Sequence, residues 1–336
     1  MKIAILSPIA WRTPPRHYGP WESVASNIAE GLVRKGYDVT LFATADSITA
    51  GQLESVCPTP YEEDKSIDPK VWECLHISNL MEQADRFDII HSNYDFLPLT
   101  YSSLIKTPLV TTIHGFTSKK ILPVYKKYNK NTYYVSISDS DRSPDLDYAA
   151  TVYNGINMDD FDFYGDHGKY LLFFSRMHPE KGPKQAIEIA KKFQMPLIMA
   201  GIIQDKEYFE KEVEPHIDGD FIKYIGSVGP DKRSKLLGEA YALLHPIYFK
   251  EPFGLSVAEA MACGTPVVAF NLGSMPELIQ DKKTGFLVAD VQSAVNALSE
   301  INDIDRTYCR EWVANKFSID NMIDGYLDVY RKVLGK

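Results

Sequence analysis

An α/β chain with two doubly wound parallel sheets is what this sequence predicts, and three observations predict it. Strand-like and helix-like runs alternate through both halves, the pattern of parallel sheets covered by helices. Each half opens with an apolar strand that crosses a loop into a helix: residues 2–6 lead to a helix over 23–35, and 170–175 lead to a helix from Pro183. A length of 336 residues fits two domains.

Composition narrows the function classes. Hydrophobic residues make up 45% and charged residues 24%, as in ordinary soluble proteins. The net charge of -9 argues against a nucleic-acid partner, while one local basic site still allows a free nucleotide. Cys57, Cys74, Cys263 and Cys309 show no C-x-x-C spacing and read as reduced thiols of a cytoplasmic protein. The first apolar run is cut short by Pro8 and reads as a strand, not a signal peptide. No apolar run is long enough to span a bilayer.

In chain order, the first strand ends at Ser7-Pro8. A loop rich in Pro and Arg follows, and then the helix over 23–35, with Val24, Ile28 and Leu32 on one face. Gly36 stops it, and a strand over 38–43 follows. A helix over 71–84 precedes strands over 87–91 and 108–113, the latter running into His114-Gly115. Residues 119–130 place Lys126, Lys127 and Lys130 on one helical face, either a solvated surface or a contact for anionic membrane. Strands over 133–137 and 151–153 close the first half, and the Asp-rich run 158–169 reads as a linker.

In the second half, strands are expected over 170–175, 196–201, 222–227, 242–244, 267–270 and 285–288. Helices are expected from Pro183 and over 231–241, 256–262, 291–301, 306–316 and 317–334. Two junctions between a strand's carboxyl end and a helix start carry charged residues. The first holds Arg176, able to fork onto a phosphate, and Lys181, a mobile point charge. The second holds Glu251 and Glu259 around the helix start at Gly254. Carboxylates repel phosphate and suit hydroxyl groups, of which sugars carry many.

Glu251-Pro252-Phe253-Gly254-Leu255 with Glu259, continued by Ala260-Met261-Ala262-Cys263-Gly264-Thr265-Pro266, resembles the E-x7-E motif of family 4 retaining glycosyltransferases of GT-B fold. The run Arg176 to Gly182 is similar to that family's Arg/Lys motif, and Tyr18-Gly19-Pro20-Trp21-Glu22 to its first glycine loop, with Pro20 replacing the second glycine. The resemblance implies two Rossmann-like domains facing a cleft, residues 1–157 plus about 318–336 and residues 158–317, with the C-terminal helix crossing back to the first domain.

It also implies roles. Glu251 and His114 would meet the donor sugar, and Glu259 the ribose. Arg176 and Lys181 would hold the diphosphate, approached by the amides of Phe253, Gly254 and Leu255. Tyr224, Ile225 and Gly226 would meet the base. Gly19 and Pro20 belong to the donor loop, while Tyr18, Trp21 and His91 are acceptor-side candidates, His91 matching more weakly and reading better as a packed, hydrogen-bonded histidine.

The implied reaction transfers a hexose from a nucleotide-sugar to an acceptor hydroxyl with retention of configuration. UDP is favoured over GDP and glucose among hexoses. No metal or other cofactor is required beyond the co-substrate. The acceptor, whether a glycan, a lipid-linked sugar or a small molecule, stays open. The expected location is cytoplasmic, including the inner membrane face. The alternatives are another GT-B enzyme such as a nucleotide-sugar epimerase, and a non-catalytic sugar-nucleotide-binding protein. A nicotinamide enzyme is disfavoured, since no strand precedes G-x-G-x-x-G.

Overall fold

The chain divides into two units, Met1–Gly155 with Ile319–Lys336, and Ile156–Ser318. The structure, a computed structural model, describes residues 1–115 and 119–335.

The first unit runs β1 (Lys2–Leu6), α1 (Pro20–Arg34), β2 (Asp38–Phe42), β3 (Gln52–Glu54), α2 (Pro69–Met81), β4 (Ile89–Ser92), β5 (Leu109–Ile113), α3 (Leu122–Tyr128), β6 (Tyr133–Ser136) and β7 (Tyr148–Thr151). All strands pair in parallel, in the order β3-β2-β1-β4-β5-β6-β7. Ile3 of β1 lies between Val39 and Ile89 in register. Helices on both faces bury the central strands, so these read as unbroken apolar runs.

Helix α1 starts at Pro20, three residues earlier than the apolar spacing alone suggests. Proline's fixed φ and missing N–H suit a first helical position, and Gly19 before it adopts φ 149°, open to glycine. Pro20 therefore lies in the helix, and Trp21 and Glu22 in its first turn. Helix α2 starts at Pro69 for the same reason, with the Asp68 carboxylate accepting the Val71 N–H at 3.1 Å. The short edge strand β3 and the placement of β7 at 148–151 differ from expectation; both are edge strands whose pairing, not composition, defines them.

The second unit runs β8 (Leu171–Phe174), α4 (Pro183–Phe193), β9 (Leu197–Ala200), α5 (Lys206–Tyr208), β10 (Ile222–Tyr224), α6 (Pro230–Gly238), β11 (Ala242–His245), α7 (Leu255–Ala262), β12 (Val267–Phe270), α8 (Met275–Leu278), β13 (Gly285–Val288), α9 (Val291–Leu298) and α10 (Arg306–Lys316). Its sheet is parallel, ordered β10-β9-β8-β11-β12-β13. Arg306, nearly buried, donates to the carbonyls of Tyr164, Ala240 and Gly238 and to the Thr265 hydroxyl, stitching the linker to the sheet.

The last helix, α11 (Ile319–Leu334), packs on the first unit. A Cβ on Gly31 would lie 2.5 Å from Ile323 Cγ1, so this mid-helix glycine lets α1 and α11 approach closely. His91 of β4 fixes the other side of α11. Its Nδ1 lies 2.6 Å from the Tyr330 hydroxyl and its Nε2 2.7 Å from Thr112 Oγ1, which in turn meets the Tyr326 hydroxyl at 2.9 Å. Tyr330→Phe leaves a fully buried nitrogen unpaired. It is expected to cost about 1–3 kcal/mol of stability in urea unfolding, with fraying of α11 visible by hydrogen exchange.

Candidate active site

Both sheets reverse their winding once. In the second unit the chain moves outward from β8 to β10, returns to β11, and moves the other way to β13. The loops after β8 and β11 therefore emerge side by side at the switch point, where open α/β sheets bind ligands. Backbone contacts clamp them together. The Tyr248 N–H donates to the Glu180 carbonyl at 2.7 Å. Gly182, at φ 72°, approaches so closely that an added Cβ would sit 2.0 Å from the Pro246 carbonyl oxygen.

That clamp brings Lys181 and Glu251 into a buried ion pair, the two side chains only 9% and 10% exposed. His245, the last residue of β11, places Nε2 3.4 Å from the same carboxylate oxygen, beyond good hydrogen-bond geometry. Lys181 Nζ also sits 4.4 Å from the centre of the Phe249 ring. Burial pushes the Glu251 carboxyl up, but Lys181 and His245 outweigh it and hold the pKa down at about 2. Burial lowers the Lys181 pKa and Glu251 opposes this, so the pair stands as ammonium and carboxylate. Burial likewise lowers the His245 pKa, leaving the imidazole neutral.

A third loop, after β12, supports this arrangement. Ser274 donates its N–H to the Glu251 carbonyl at 2.9 Å and its hydroxyl to the Phe253 carbonyl at 2.6 Å. A Cβ on Gly273 would meet Glu251 N at 2.3 Å. Phe253, Gly254 and Leu255 then enter α7 with Gly254 at φ 94° and no side chain capping the helix. Its positive end is available to an anion.

Glu259, further along α7, takes a hydrogen bond from Arg233 of α6 at 3.1 Å. The Arg233 guanidinium carbon lies 5.8 Å from the Phe174 ring centre, and its Nε is buried without a partner. Arg176 leaves the loop after β8 to donate to Gln204 Oε1, close enough to Lys181 to depress its pKa. Tyr224, at the end of edge strand β10, donates its hydroxyl to the Gly201 carbonyl at 2.8 Å. The Ile225 N–H is spent on Met199 O, its side chain is exposed, and a Cβ on Gly226 would meet open space. An open groove lined by Pro179, Lys184, Tyr208 and Tyr248 borders these loops but includes neither Lys181 nor Glu251.

The first unit has its own switch point, between β1 and β4. His114, just beyond β5, places Nε2 3.2 Å from Asn93 Oδ1 and its ring against Trp21, centroids 5.6 Å apart and 24° from parallel. Desolvation pushes the His114 pKa well down, although part of the residue stays accessible, so the imidazole is neutral at physiological pH. Tyr18 packs edge-on to Trp11, 5.9 Å between centroids. Glu22 is buried and accepts the Trp11 N–H at 3.1 Å; burial pushes its pKa up to about 7.

His91 is not exposed to any ligand: no part of the residue is accessible and both nitrogens are engaged by Tyr330 and Thr112. Of the two readings weighed for it, the packed histidine holds and the acceptor role does not, because a residue inside a parallel strand points into a covered face. On α3, Lys126 pairs with Asp145 at 3.2 Å and Lys127 lies over the Tyr128 ring, while Lys130, two residues beyond the helix, pairs with Asp147. Two of the three charges are thus balanced locally. Among the described residues no helix is long and apolar enough to cross a membrane, and no cluster of three His, Cys, Asp or Glu side chains could hold a metal.

His245, Arg233, Ser274 and Asn93 escaped the sequence analysis. The strand-end rule that selected His114 also applies to His245 and to Asn93. Arg233 and Ser274 carry no local signal, since their partners lie 26 and 21 residues away.

The sign of the pH effect follows from Glu251. Its folded pKa lies below the unfolded value of about 4.3, so its stabilisation is complete above that value and is lost as pH falls towards 2. Urea midpoints measured from pH 6 down to pH 2.5 are expected to fall less steeply for Glu251→Gln than for wild type. At pH 7 the variant should be less stable by about 3 kcal/mol, because Lys181 is left buried and unpaired.

Comparison with known proteins adds a second line of argument. Residues 163–315 match the model of Glycosyl transferases group 1, and residues 22–143 match Glycosyltransferase Family 4. The chain is 24% identical to an uncharacterized glycosyltransferase of Methanocaldococcus jannaschii, with 98% of each chain covered. It is 23% identical to the phosphatidyl-myo-inositol mannosyltransferase of Mycobacterium tuberculosis, covering 93% of this chain and 89% of the other. Among solved structures, Anabaena HepE in complex with UDP and glucose superposes with a TM-score of 0.76 at 19% identity, over 99% of this chain and 100% of that one. With one model matching the second unit and the other matching most of the first, the chain belongs to the group 1 / family 4 glycosyltransferases and carries their GT-B fold.

Proposed function

We propose that this glycosyltransferase moves glucose from UDP-glucose to an acceptor hydroxyl, with retention of configuration and without a divalent metal. The observation that carries the reading is the buried Lys181–Glu251 pair at the switch point, beside the uncapped start of α7. Complexes of HepE with UDP, glucose and UDP-glucose favour this donor.

The residues divide the work by charge. Negative charge grows on the departing diphosphate in the transition state. Lys181, Arg176 and the first amides of α7 offer preorganised positive charge to it. Glu251, kept ionised by Lys181 and His245, accepts hydrogen bonds from sugar hydroxyls. Glu259, steadied by Arg233, does the same for the ribose, and Ile225 and Gly226 leave an open edge for the base. His114 is neutral and gives the sugar an acceptor nitrogen beside the Trp21 ring. Glu251 is committed to its ion pair with Lys181 and is a poor nucleophile, which favours proton transfer from acceptor to leaving phosphate on one face. Cations supplied by the chain make a divalent metal unnecessary.

The decisive assay follows nucleoside diphosphate release from a panel of nucleotide-sugars in EDTA. Wild type is expected to release UDP from UDP-glucose at an unchanged rate with or without chelator. Arg176→Ala should lower kcat about 10²–10³-fold, as when one transition-state donor is removed, while leaving the melting temperature in place. Tight binding of the nucleotide-sugar without release, across a broad acceptor mixture, would overturn the catalytic reading in favour of a binding protein.

A further inference from the structure

Asn93 lies one residue beyond β4, and no part of it is exposed. Its Oδ1 sits 3.2 Å from His114 Nε2, and its Nδ2 is buried without a hydrogen-bond partner. Buried amides almost always satisfy both ends, because an unpaired N–H has lost its water and gained nothing. A spare donor at the carboxyl end of a parallel strand, next to a switch point, is placed to meet a ligand oxygen.

The bond to Asn93 also decides the chemistry of His114. A carbonyl oxygen accepts, so Nε2 carries the proton and Nδ1 keeps its lone pair. Trp21, nearly parallel to the imidazole, restricts ring rotation from one face. Among the described residues, the titratable group coupled to His114 is His91 on the neighbouring strand β4. His91 is itself buried and held neutral, its pKa pushed down to about 3 by burial and then by His114. Glu22, one residue from Trp21 on α1, spends its carboxylate on the Trp11 N–H.

We propose that Asn93 is a positioning residue for the glycosyl transfer. It holds His114 as the neutral Nε2–H tautomer with Nδ1 ready to accept a sugar hydroxyl, and its own Nδ2 donates to an oxygen of the same bound sugar. This rests on the role given to His114 above. It makes Asn93, which neither charge nor reactivity singles out, a determinant of how the hydroxylated ring is read. An apolar ring or one stripped of the recognised hydroxyl would leave Nδ1 and Nδ2 both unmatched, the condition under which hydrogen-bonding sites discriminate best.

Asn93→Asp and Asn93→Ala test this in the full-length protein. Asn93→Asp puts a carboxylate where the amide stood and should raise the His114 pKa, since an opposite charge favours the imidazolium. The His114 ring signals, identified by their loss in His114→Gln, would then titrate about one unit or more above their wild-type value. The kcat/KM profile of Asn93→Asp should gain an acid limb, falling as pH drops through the raised value, where Nδ1 becomes protonated. Asn93→Ala should lose about tenfold in kcat/KM with UDP-glucose while keeping its melting temperature.

Identical His114 titrations in wild type and Asn93→Asp would overturn the proposal. So would a wild-type kcat/KM in Asn93→Ala, or a lowered melting temperature with an unchanged pH profile, the mark of a packing role. The ring titration needs no turnover. If wild type transfers no sugar at all, the function reading falls, while the titration still decides whether Asn93 governs His114.

Discussion

A buried ion pair between Lys181 and Glu251 is the constraint around which the second unit is arranged. Such pairs seldom raise stability, because two ions lose their water for one attraction. Its presence therefore calls for support, and three loops provide it. Gly182 presses its backbone onto Pro246, Tyr248 bonds to Glu180, and Gly273-Ser274 holds the backbone of Glu251 and Phe253. Each contact ends on a backbone atom of the loops and leaves the two charged side chains to pair with each other. A charged pair held this way is preorganised: the cost of desolvating it is met on folding, not during the reaction.

The first unit solves a similar problem with neutral groups. Its sheet reverses between β1 and β4, and the residues just beyond β4 and β5, Asn93 and His114, meet there with Trp21 from the first turn of α1. Among the described residues no fixed charge shifts the His114 imidazole, and burial keeps both His91 and His114 neutral. The two units thus offer different chemistry, one rich in cations and carboxylates, the other in uncharged hydrogen-bonding and aromatic surface.

Two histidines show what a short displacement along a strand does. His91 lies inside β4 and is locked to Tyr330 and Thr112, where it anchors the C-terminal helix. His114 lies one residue beyond β5 and is available at the loop. Both follow apolar runs at strand ends, and the sequence separates them only by how well each matches the family's histidine. Only the register of β4 and the return of α11 separate a strut from a site residue. Pro20 is a comparable case: it reads as a loop residue by its departure from a glycine pair, yet it opens α1 and thereby fixes the direction of Trp21.

The sequence by itself determined the alternation of strands and helices, the loops at strand carboxyl ends, and the residue types Arg176, Lys181, Glu251 and Glu259. These are local properties, written in apolar periodicity and in helix starts a few residues long. Only the tertiary structure decided the partners: Lys181 with Glu251 across 70 residues, Arg233 with Glu259, His91 with Tyr330 across 239. Partners at such separations depend on strand order and on which face each residue presents. Those are set by closure of the whole sheet, and no local pattern in the chain encodes them.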